Sequence, residues 1–172
     1  KLMEKLNRIP IFFSSDNNYA PYLTVAIASI KEFSSKGNFY DIIVLSENFS
    51  QENKNNIEKL ECENLKITFY NISEKLDGIK NDLAVTLRDY YTVSIFYRMF
   101  IAEVFSNLDK ALYIDADIVL NTDIAKLYFT DIGDNFVGAV SDQVVNTNEI
   151  FIKYTTEVIG INKGEYFNSG VL

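Results

Sequence analysis

Apolar and polar positions along this chain predict short strands separated by helices. Five apolar runs, rich in β-branched and aromatic residues, are typical of buried strands. They span residues 9–14, 39–45, 65–70, 111–114 and 136–140. Three segments between them carry apolar residues at the spacing of a helix with one buried face. These helices are expected at residues 19–33, 50–62 and 92–105, and residues 71–91 are expected to be loop with some helix.

Each predicted helix has a stripe of apolar residues that is expected to face the core. In the first helix the stripe comprises Tyr22, Val25, Ala26, Ser29, Ile30 and Phe33. In the second it is reduced to Ile57 and Leu60, and in the third it comprises Val93, Phe96, Phe100, Ile101 and Val104. Strands that alternate with helices indicate an α/β fold, with a mostly parallel mixed sheet flanked by helices. The 172 residues suffice for a single domain over 1–172 and are few for two.

Composition narrows the possible functions. The net charge of −8 argues against a nucleic-acid partner, because phosphate binding needs clustered Lys and Arg. The absence of histidine excludes Ser-His-Asp and Cys-His catalysis and leaves oxygen ligands, which suit Mg²⁺ or Mn²⁺. The single cysteine, Cys62, excludes an internal disulfide. No apolar stretch is long enough to cross a membrane and no signal peptide is recognisable, so we expect a cytoplasmic protein.

Two aspartates, Asp115 and Asp117, follow the apolar run at 111–114. If the strand continued through them, both carboxylates would lie on one face, with Cα atoms roughly 6.5 Å apart. Two such charges repel by about 2–3 kcal/mol at an effective dielectric of about 20, which a shared cation would offset. Three interpretations remain open: an acidic loop, the metal–diphosphate site of a sugar-nucleotide glycosyltransferase, and the nucleophile and acid/base pair of a haloacid-dehalogenase-type phosphatase.

Polar side chains also follow two other predicted strands. Residues 14–19 follow the first strand, and Ser141 and Asp142 follow the strand predicted at 136–140. Ligands of open α/β sheets bind beyond the carboxyl ends of the strands, so these clusters are expected to converge with the aspartate pair. Asp16 could accept the N3–H of a uracil and Tyr19 could stack on the base. The alternative is that both residues only form a turn and a helix cap.

Arg98 lies on the predicted helix 92–105 among apolar neighbours. A buried guanidinium needs a partner, because an unpaired buried charge is strongly unfavourable. The partner is expected to be an aspartate of the Asp-x-Asp pair or the diphosphate of a ligand. The alternative is that the long side chain reaches solvent.

Taken together, four segments resemble glycosyltransferase family 8, which includes bacterial lipopolysaccharide galactosyl- and glucosyltransferases and glycogenin. They are SDNNYAPYL at 15–23, YRM at 97–99, LYIDADIV at 112–119 and FNSGVL at 167–172. Their order and intervals carry the resemblance, which runs from about residue 9 to the end. The resemblance implies a GT-A-type fold, a Rossmann-like nucleotide-diphospho-sugar transferase domain. It also leaves the phosphatase as a minor alternative, since more than a hundred residues precede the Asp-x-Asp pair.

The resemblance implies a retaining, metal-dependent transfer of a hexose, glucose or galactose, from a UDP-sugar to a saccharide or glycolipid acceptor. The nucleotide is then expected to contact Ser14, Ser15, Asp16, Asn18, Tyr19, Arg98 and Ala116. The donor and acceptor sugars are expected to lie near Arg98, Asp115, Asp142 and Asn168. Asp115 and Asp117 would hold Mn²⁺ or Mg²⁺.

Members of the family carry a third metal ligand, a histidine, followed by a lysine downstream of the last segment, and this chain has no histidine. The chain is therefore expected to be a C-terminally truncated catalytic domain. We expect the complete protein to transfer a sugar, and this chain to be at best a weak, non-catalytic UDP binder. Membrane association, if the protein has it, is expected at the inner face and through parts outside this chain.

Overall fold

The computed structural model describes residues 6–76 and 93–172. The chain divides into two compact units, Lys1–Thr130 and Asp131–Leu172. The first unit contains the parallel sheet and its helices, and the second contains a small antiparallel pair of strands with short helices. None of the helices among the described residues combines the length and the apolar character that a bilayer-spanning helix requires.

A four-stranded parallel sheet forms the centre of the first unit. Its spatial order is β3-β2-β1-β4. The strands are β1 Asn7–Ser14, β2 Asn38–Ser46, β3 Leu65–Asn71 and β4 Leu112–Tyr113. The strands predicted at 9–14, 39–45 and 65–70 are thus confirmed with small extensions, whereas β4 is shorter than predicted. The two central strands are almost continuously buried, as expected of a parallel sheet covered on both faces.

The first helix lies where it was predicted, but the side that it buries differs in part from the predicted one. Helix α1 spans Ala20–Phe33 and buries a stripe made of Ala20, Leu23, Ala26, Ile27 and Ile30. The stripe predicted for this helix was therefore wrong in part, because Tyr22, Val25 and Phe33 are exposed. Two overlapping apolar stripes satisfy helical spacing in this segment, and periodicity alone does not choose between them.

The second and third predicted helices are shorter or more irregular than their patterns indicate. Helix α2 spans Gln51–Glu58, with Ser50 as its N-cap and Ile57 buried. The segment predicted as a helix at 92–105 is a 3₁₀-helix over Val93–Phe100 followed by α4, Ile101–Val104. Helix α3, Ser73–Leu76, matches the helix expected within 71–91, and residues 77–92 lie outside the described residues.

The second unit contradicts one predicted strand. Only Val140–Ser141 forms β5, and it pairs antiparallel with β6, Phe167–Asn168, rather than joining the parallel sheet. The apolar run at 136–140 contains Gly138, and Phe136 is fully exposed, so the run does not supply a buried strand. Helix α6, Gln143–Thr147, and helix α7, Glu149–Tyr154, follow β5, and a π-helical turn, Thr155–Ile159, follows them.

The segment after the aspartate pair is anchored to the core by two polar contacts. The buried hydroxyl of Tyr40 on β2 donates to Oδ1 of Asp123 at 2.7 Å and accepts from the backbone N–H of Ser35 at 2.9 Å. The N–H of Leu120 donates to Oγ of Ser29 on α1 at 3.0 Å. Helix α5, Ala125–Tyr128, begins two residues after Asp123, with Ile124 as its N-cap. These contacts hold residues 120–123 against α1 and β2.

We expect Tyr40→Phe to lower the free energy of unfolding by about 2 kcal/mol. The substitution keeps the buried ring but removes a hydrogen bond to a carboxylate, which typically contributes about 1.5–3 kcal/mol. Urea unfolding monitored by circular dichroism measures the difference. The matched control is Tyr22→Phe on the exposed side of α1, where we expect a change below about 0.5 kcal/mol. Equal stability of both variants would contradict the anchoring role of Tyr40.

Candidate functional site

An open pocket of about 140 Å³ lies in the first unit at the carboxyl ends of β1 and β4. Its described walls come from the loop after β1, the 3₁₀-helix and the segment after β4. The lining residues are Ser14, Ser15, Tyr19, Ser94, Ile95, Arg98, Tyr113, Asp115, Ala116 and Asp117. The pocket is therefore at the edge of the sheet where ligands of open α/β proteins bind.

The loop after β1 is held by its own polar side chains. Oδ1 of Asp16 accepts from the backbone N–H groups of Asn18 and Tyr19, at 2.9 and 3.0 Å, and so caps the turn that leads into α1. The cap and turn chemistry foreseen for Asp16 is thus present. Neither Asp16 nor the exposed Asn18 is among the lining residues, whereas Tyr19 is, with its ring 5.3 Å from that of Tyr22.

A second contact ties this loop to the neighbouring helix. Oδ1 of Asn17 accepts from the backbone N–H of Ser50 and from Nδ2 of Asn53, both at 3.0 Å. Ser50 in turn caps α2 through its own hydroxyl. The loop that carries Tyr19 is therefore held by contacts within itself and by contacts with the start of α2. The sequence pattern did not indicate the contacts with α2.

Arg98 and Asp115 form an ion pair on the pocket wall. Nη2 of Arg98 donates to Oδ1 of Asp115 at 2.9 Å, and Nε donates to the carbonyl of Ile95 at 3.1 Å. The guanidinium also lies over the ring of Tyr113, 4.2 Å from its centroid. The Arg98 side chain is 16% exposed and that of Asp115 is 36% exposed. An aspartate of the Asp-x-Asp pair is therefore a partner of Arg98, which does not simply extend into solvent.

The two aspartates lie in a turn and not in a strand. β4 ends at Tyr113, and its pairing continues only through the N–H of Ile114, which donates to the carbonyl of Phe12 at 2.9 Å. Strand alternation therefore does not explain why Asp115 and Asp117 share the pocket, and that part of the prediction was wrong. The turn itself brings both carboxylates to the pocket wall, with Asp117 exposed.

The residues of the pocket fit an oxygen-ligated divalent cation that shares its coordination with a ligand. Among the described residues no group of three His, Cys, Asp or Glu side chains is placed to hold a metal ion. Mg²⁺ typically binds through one or two carboxylates together with substrate phosphates, and Asp115 and Asp117 provide two. The Oγ of Ser14 in the same wall is buried.

Asp142 and Asn168 belong to the second unit, where both have local structural contacts. Oδ1 of Asp142 caps α6 by accepting from the N–H of Val145 at 2.9 Å. Oδ1 of Asn168 accepts from the N–H of Gly170 at 2.8 Å. Their expected place near the donor and acceptor sugars stays a prediction.

Sequence reasoning missed three lining residues, Ser94, Ile95 and Tyr113. Ser94 and Ile95 precede Arg98 on a 3₁₀-helix, which has three residues per turn instead of 3.6. The apolar pattern identifies Tyr113 only as a member of a buried strand. Its position two residues before Asp115 is the signal that could have indicated a contact between their side chains.

Two buried phenols belong to this part of the structure. Burial raises the pKa of Tyr113 above its ordinary value, and the neighbouring Asp115 carboxylate acts in the same direction. Burial likewise raises the pKa of Tyr97, whose hydroxyl donates to Oε2 of Glu47 at 3.0 Å. Both phenols therefore remain neutral in the folded protein at pH values where an unfolded tyrosine, with a pKa of about 10, ionises.

We expect Tyr113→Phe to weaken the alkaline pH dependence of stability. A phenol with a raised pKa in the folded state contributes stability that is complete below about pH 10 and is lost as the pH rises towards its folded value. Between pH 8 and pH 11 the wild-type chain should lose about 1.4 kcal/mol more of its free energy of unfolding than the variant does. Urea unfolding at the two pH values measures this difference. Equal losses would show that Tyr113 ionises normally.

Comparison with known proteins agrees with the fold and with the order of the motifs. Residues 10–172 match the sequence profile of glycosyl transferase family 8. A putative glycosyltransferase of Haemophilus influenzae is 34% identical over 164 residues, which cover 94% of this chain and 47% of that protein. The lipopolysaccharide 1,2-glucosyltransferase of Escherichia coli is 29% identical over 160 residues, which cover 91% of this chain and 44% of that protein.

A solved structure supports the same assignment. The galactosyltransferase LgtC, in complex with donor and acceptor sugar analogues, superposes with a TM-score of 0.76 at 28% identity, over 95% of this chain and 56% of LgtC. The fold is thus of the GT-A type. The chain spans about half the length of the curated relatives it matches. With the family profile matched over nearly its whole length, the chain belongs to glycosyltransferase family 8.

Proposed function

We propose that this protein transfers a hexose, glucose or galactose, from a UDP-sugar to a saccharide or glycolipid acceptor, with retention of configuration and with a divalent metal ion. The observation that carries the proposal is the meeting of Asp115, Asp117 and Arg98 in one pocket at the ends of β1 and β4. Family membership favours this interpretation of the aspartate pair over the phosphatase one. Retention of configuration is proposed on the resemblance to the family alone.

The charges of the pocket are the first argument for a metal. Its described walls carry two carboxylates, Asp115 and Asp117, and one guanidinium, Arg98. A diphosphate entering this site would be repelled by the excess negative charge unless a cation entered with it. Asp115 and Asp117 would hold Mn²⁺ or Mg²⁺, which would supply positive charge against the negative charge of the departing nucleotide. Arg98 would contribute a second positive charge to the phosphates or the donor sugar.

The loop after β1 is proposed to hold the base. Tyr19 presents a partly exposed ring to the pocket, and the contacts of Asp16 and Asn17 hold the loop in place. Asp16 uses Oδ1 for the cap, so Oδ2 is the oxygen proposed to accept the N3–H of uracil. Asn18 would assist at the base, and Ser14, Ser15 and the backbone of Ala116 would contact the rest of the nucleoside.

The proposal for the acceptor substrate is based on the names of similar proteins. One relative is a lipopolysaccharide glucosyltransferase, and the structure of LgtC contains donor and acceptor sugar analogues. We therefore propose a sugar-containing acceptor, with Asp142 and Asn168 on the side of the donor and acceptor sugars. Because Asp115 and Asp117 are only two protein ligands, this chain should hold the metal weakly until a diphosphate supplies further oxygens.

We expect UDP and Mn²⁺ together to raise the melting temperature of the chain by about 3–6 °C at ten times the dissociation constant. UDP-glucose and UDP-galactose should act like UDP, whereas GDP-mannose should not. Differential scanning fluorimetry with each ligand, with and without Mn²⁺, measures these shifts. Asp117→Ala should abolish the shift, because it removes a proposed metal ligand. Asp109→Ala, which removes an exposed carboxylate outside the pocket, should preserve it.

Three results would change the assignment. A shift that persists in Asp117→Ala would contradict the metal site. Rapid, metal-dependent transfer from UDP-glucose or UDP-galactose by this chain would contradict the expectation that it is at best a weak, non-catalytic UDP binder. Hydrolysis of p-nitrophenyl phosphate that depends on Asp115 would favour the phosphatase alternative.

A further inference from the structure

Only one oxygen of the Asp115 carboxylate is engaged by the described residues. Oδ1 accepts two hydrogen bonds, from Nη2 of Arg98 at 2.9 Å and from the hydroxyl of Tyr113 at 2.8 Å. Within the described chain no hydrogen bond reaches Oδ2. The carboxylate is therefore held by two donors at Oδ1, and its Oδ2 accepts no hydrogen bond from the described residues.

Tyr113 is suited to hold this arrangement because its own position is fixed. It is the last residue of β4, it pairs with Phe12 of β1, and it is only 4% exposed. Its ring lies below the guanidinium of Arg98, 4.2 Å from ring centroid to Cζ, while its hydroxyl reaches Asp115. One rigid side chain thus contacts two of the three charged groups of the described pocket wall, Arg98 and Asp115.

We propose that Tyr113 is a positioning residue that occupies Oδ1 of Asp115 and thereby presents Oδ2 to the divalent cation. This inference rests on the proposed metal-dependent function. Groups that hydrogen-bond to a ligating carboxylate orient it, and their loss typically lowers metal affinity by about 10- to 100-fold. The ring of Tyr113 additionally supports Arg98, so that the guanidinium and the metal would use different sides of the same carboxylate.

A purely structural role makes a different prediction. If the Tyr113 hydroxyl only satisfied a buried polar group, its removal would lower stability and leave metal affinity unchanged. Tyr40 provides the matched control, because its buried hydroxyl also donates to Oδ1 of an aspartate, Asp123, at 2.7 Å, and it does not line the pocket. Tyr113→Phe keeps the ring below Arg98 and removes only the hydroxyl.

The test is titration of the 172-residue chain with Mn²⁺ in the presence of saturating UDP. Free Mn²⁺ is measured by electron paramagnetic resonance at 10 °C, and circular dichroism at that temperature verifies folding. We expect Tyr113→Phe to weaken Mn²⁺ binding by about 10- to 100-fold and Tyr40→Phe to change it less than twofold. Both variants should melt at lower temperatures than the wild-type chain, so that loss of stability is separated from loss of affinity.

The outcomes distinguish this inference from the function on which it rests. Wild-type affinity in Tyr113→Phe, with normal Mn²⁺ binding by the wild-type chain, would overturn the positioning role and leave the proposed function intact. An equal loss in Tyr113→Phe and Tyr40→Phe would also overturn it, since the effect would then be one of stability. Failure of the wild-type chain to bind Mn²⁺ with UDP would overturn both.

Discussion

The parallel pairing of β1 with β4 brings the two halves of the pocket together. Phe12 pairs with Tyr113, and the N–H of Ile114 donates to the carbonyl of Phe12. Ser14 and Asp115 each follow these paired residues by two positions, so they reach the same edge of the sheet. A shift of this register by one residue would turn Tyr113 to the opposite face and separate it from Arg98 on the 3₁₀-helix. The geometry of the pocket therefore depends on the packing of a strand only two residues long.

That short strand is stabilised by the segments on either side of it. On one side, Tyr113 is covered by the 3₁₀-helix that carries Arg98. On the other, the chain after the aspartate turn is tied to α1 through Ser29 and to β2 through Tyr40. The side chains of Ile118 and Leu120 are partly buried and pack against the core. Apolar packing and hydrogen bonds thus hold the chain at Tyr113 before the acidic turn and again at Leu120 and Asp123 after it.

Much of the fold follows from the sequence because the central strands are buried on both faces. Their uninterrupted apolar runs and the polar residues after them identified β1, β2 and β3 and placed the pocket at the strand ends. The ion pair of Arg98 with an aspartate could also be predicted, because a buried charge needs a partner.

Periodicity failed where the backbone departs from regular geometry or where two patterns compete. The aspartates lie in a turn, Arg98 lies on a 3₁₀-helix, and α1 has two overlapping apolar stripes. The run at 136–140 looked like a strand because of its apolar residues, yet Phe136 and Val140 are exposed. Hydrogen bonds of side chains across the fold, such as those of Asn17 and Tyr40, leave no local signal in the sequence.

The two phenol–aspartate pairs differ in the other contacts that each carboxylate makes. Tyr40 donates to Oδ1 of Asp123, and the same oxygen accepts the N–H of Ala125 at the start of α5. The Asp123 carboxylate therefore stabilises the start of α5. Tyr113 donates to Oδ1 of Asp115, whose other donor is a charged side chain on the pocket wall. The second carboxylate is therefore oriented by side chains of the pocket wall and not by the backbone around it.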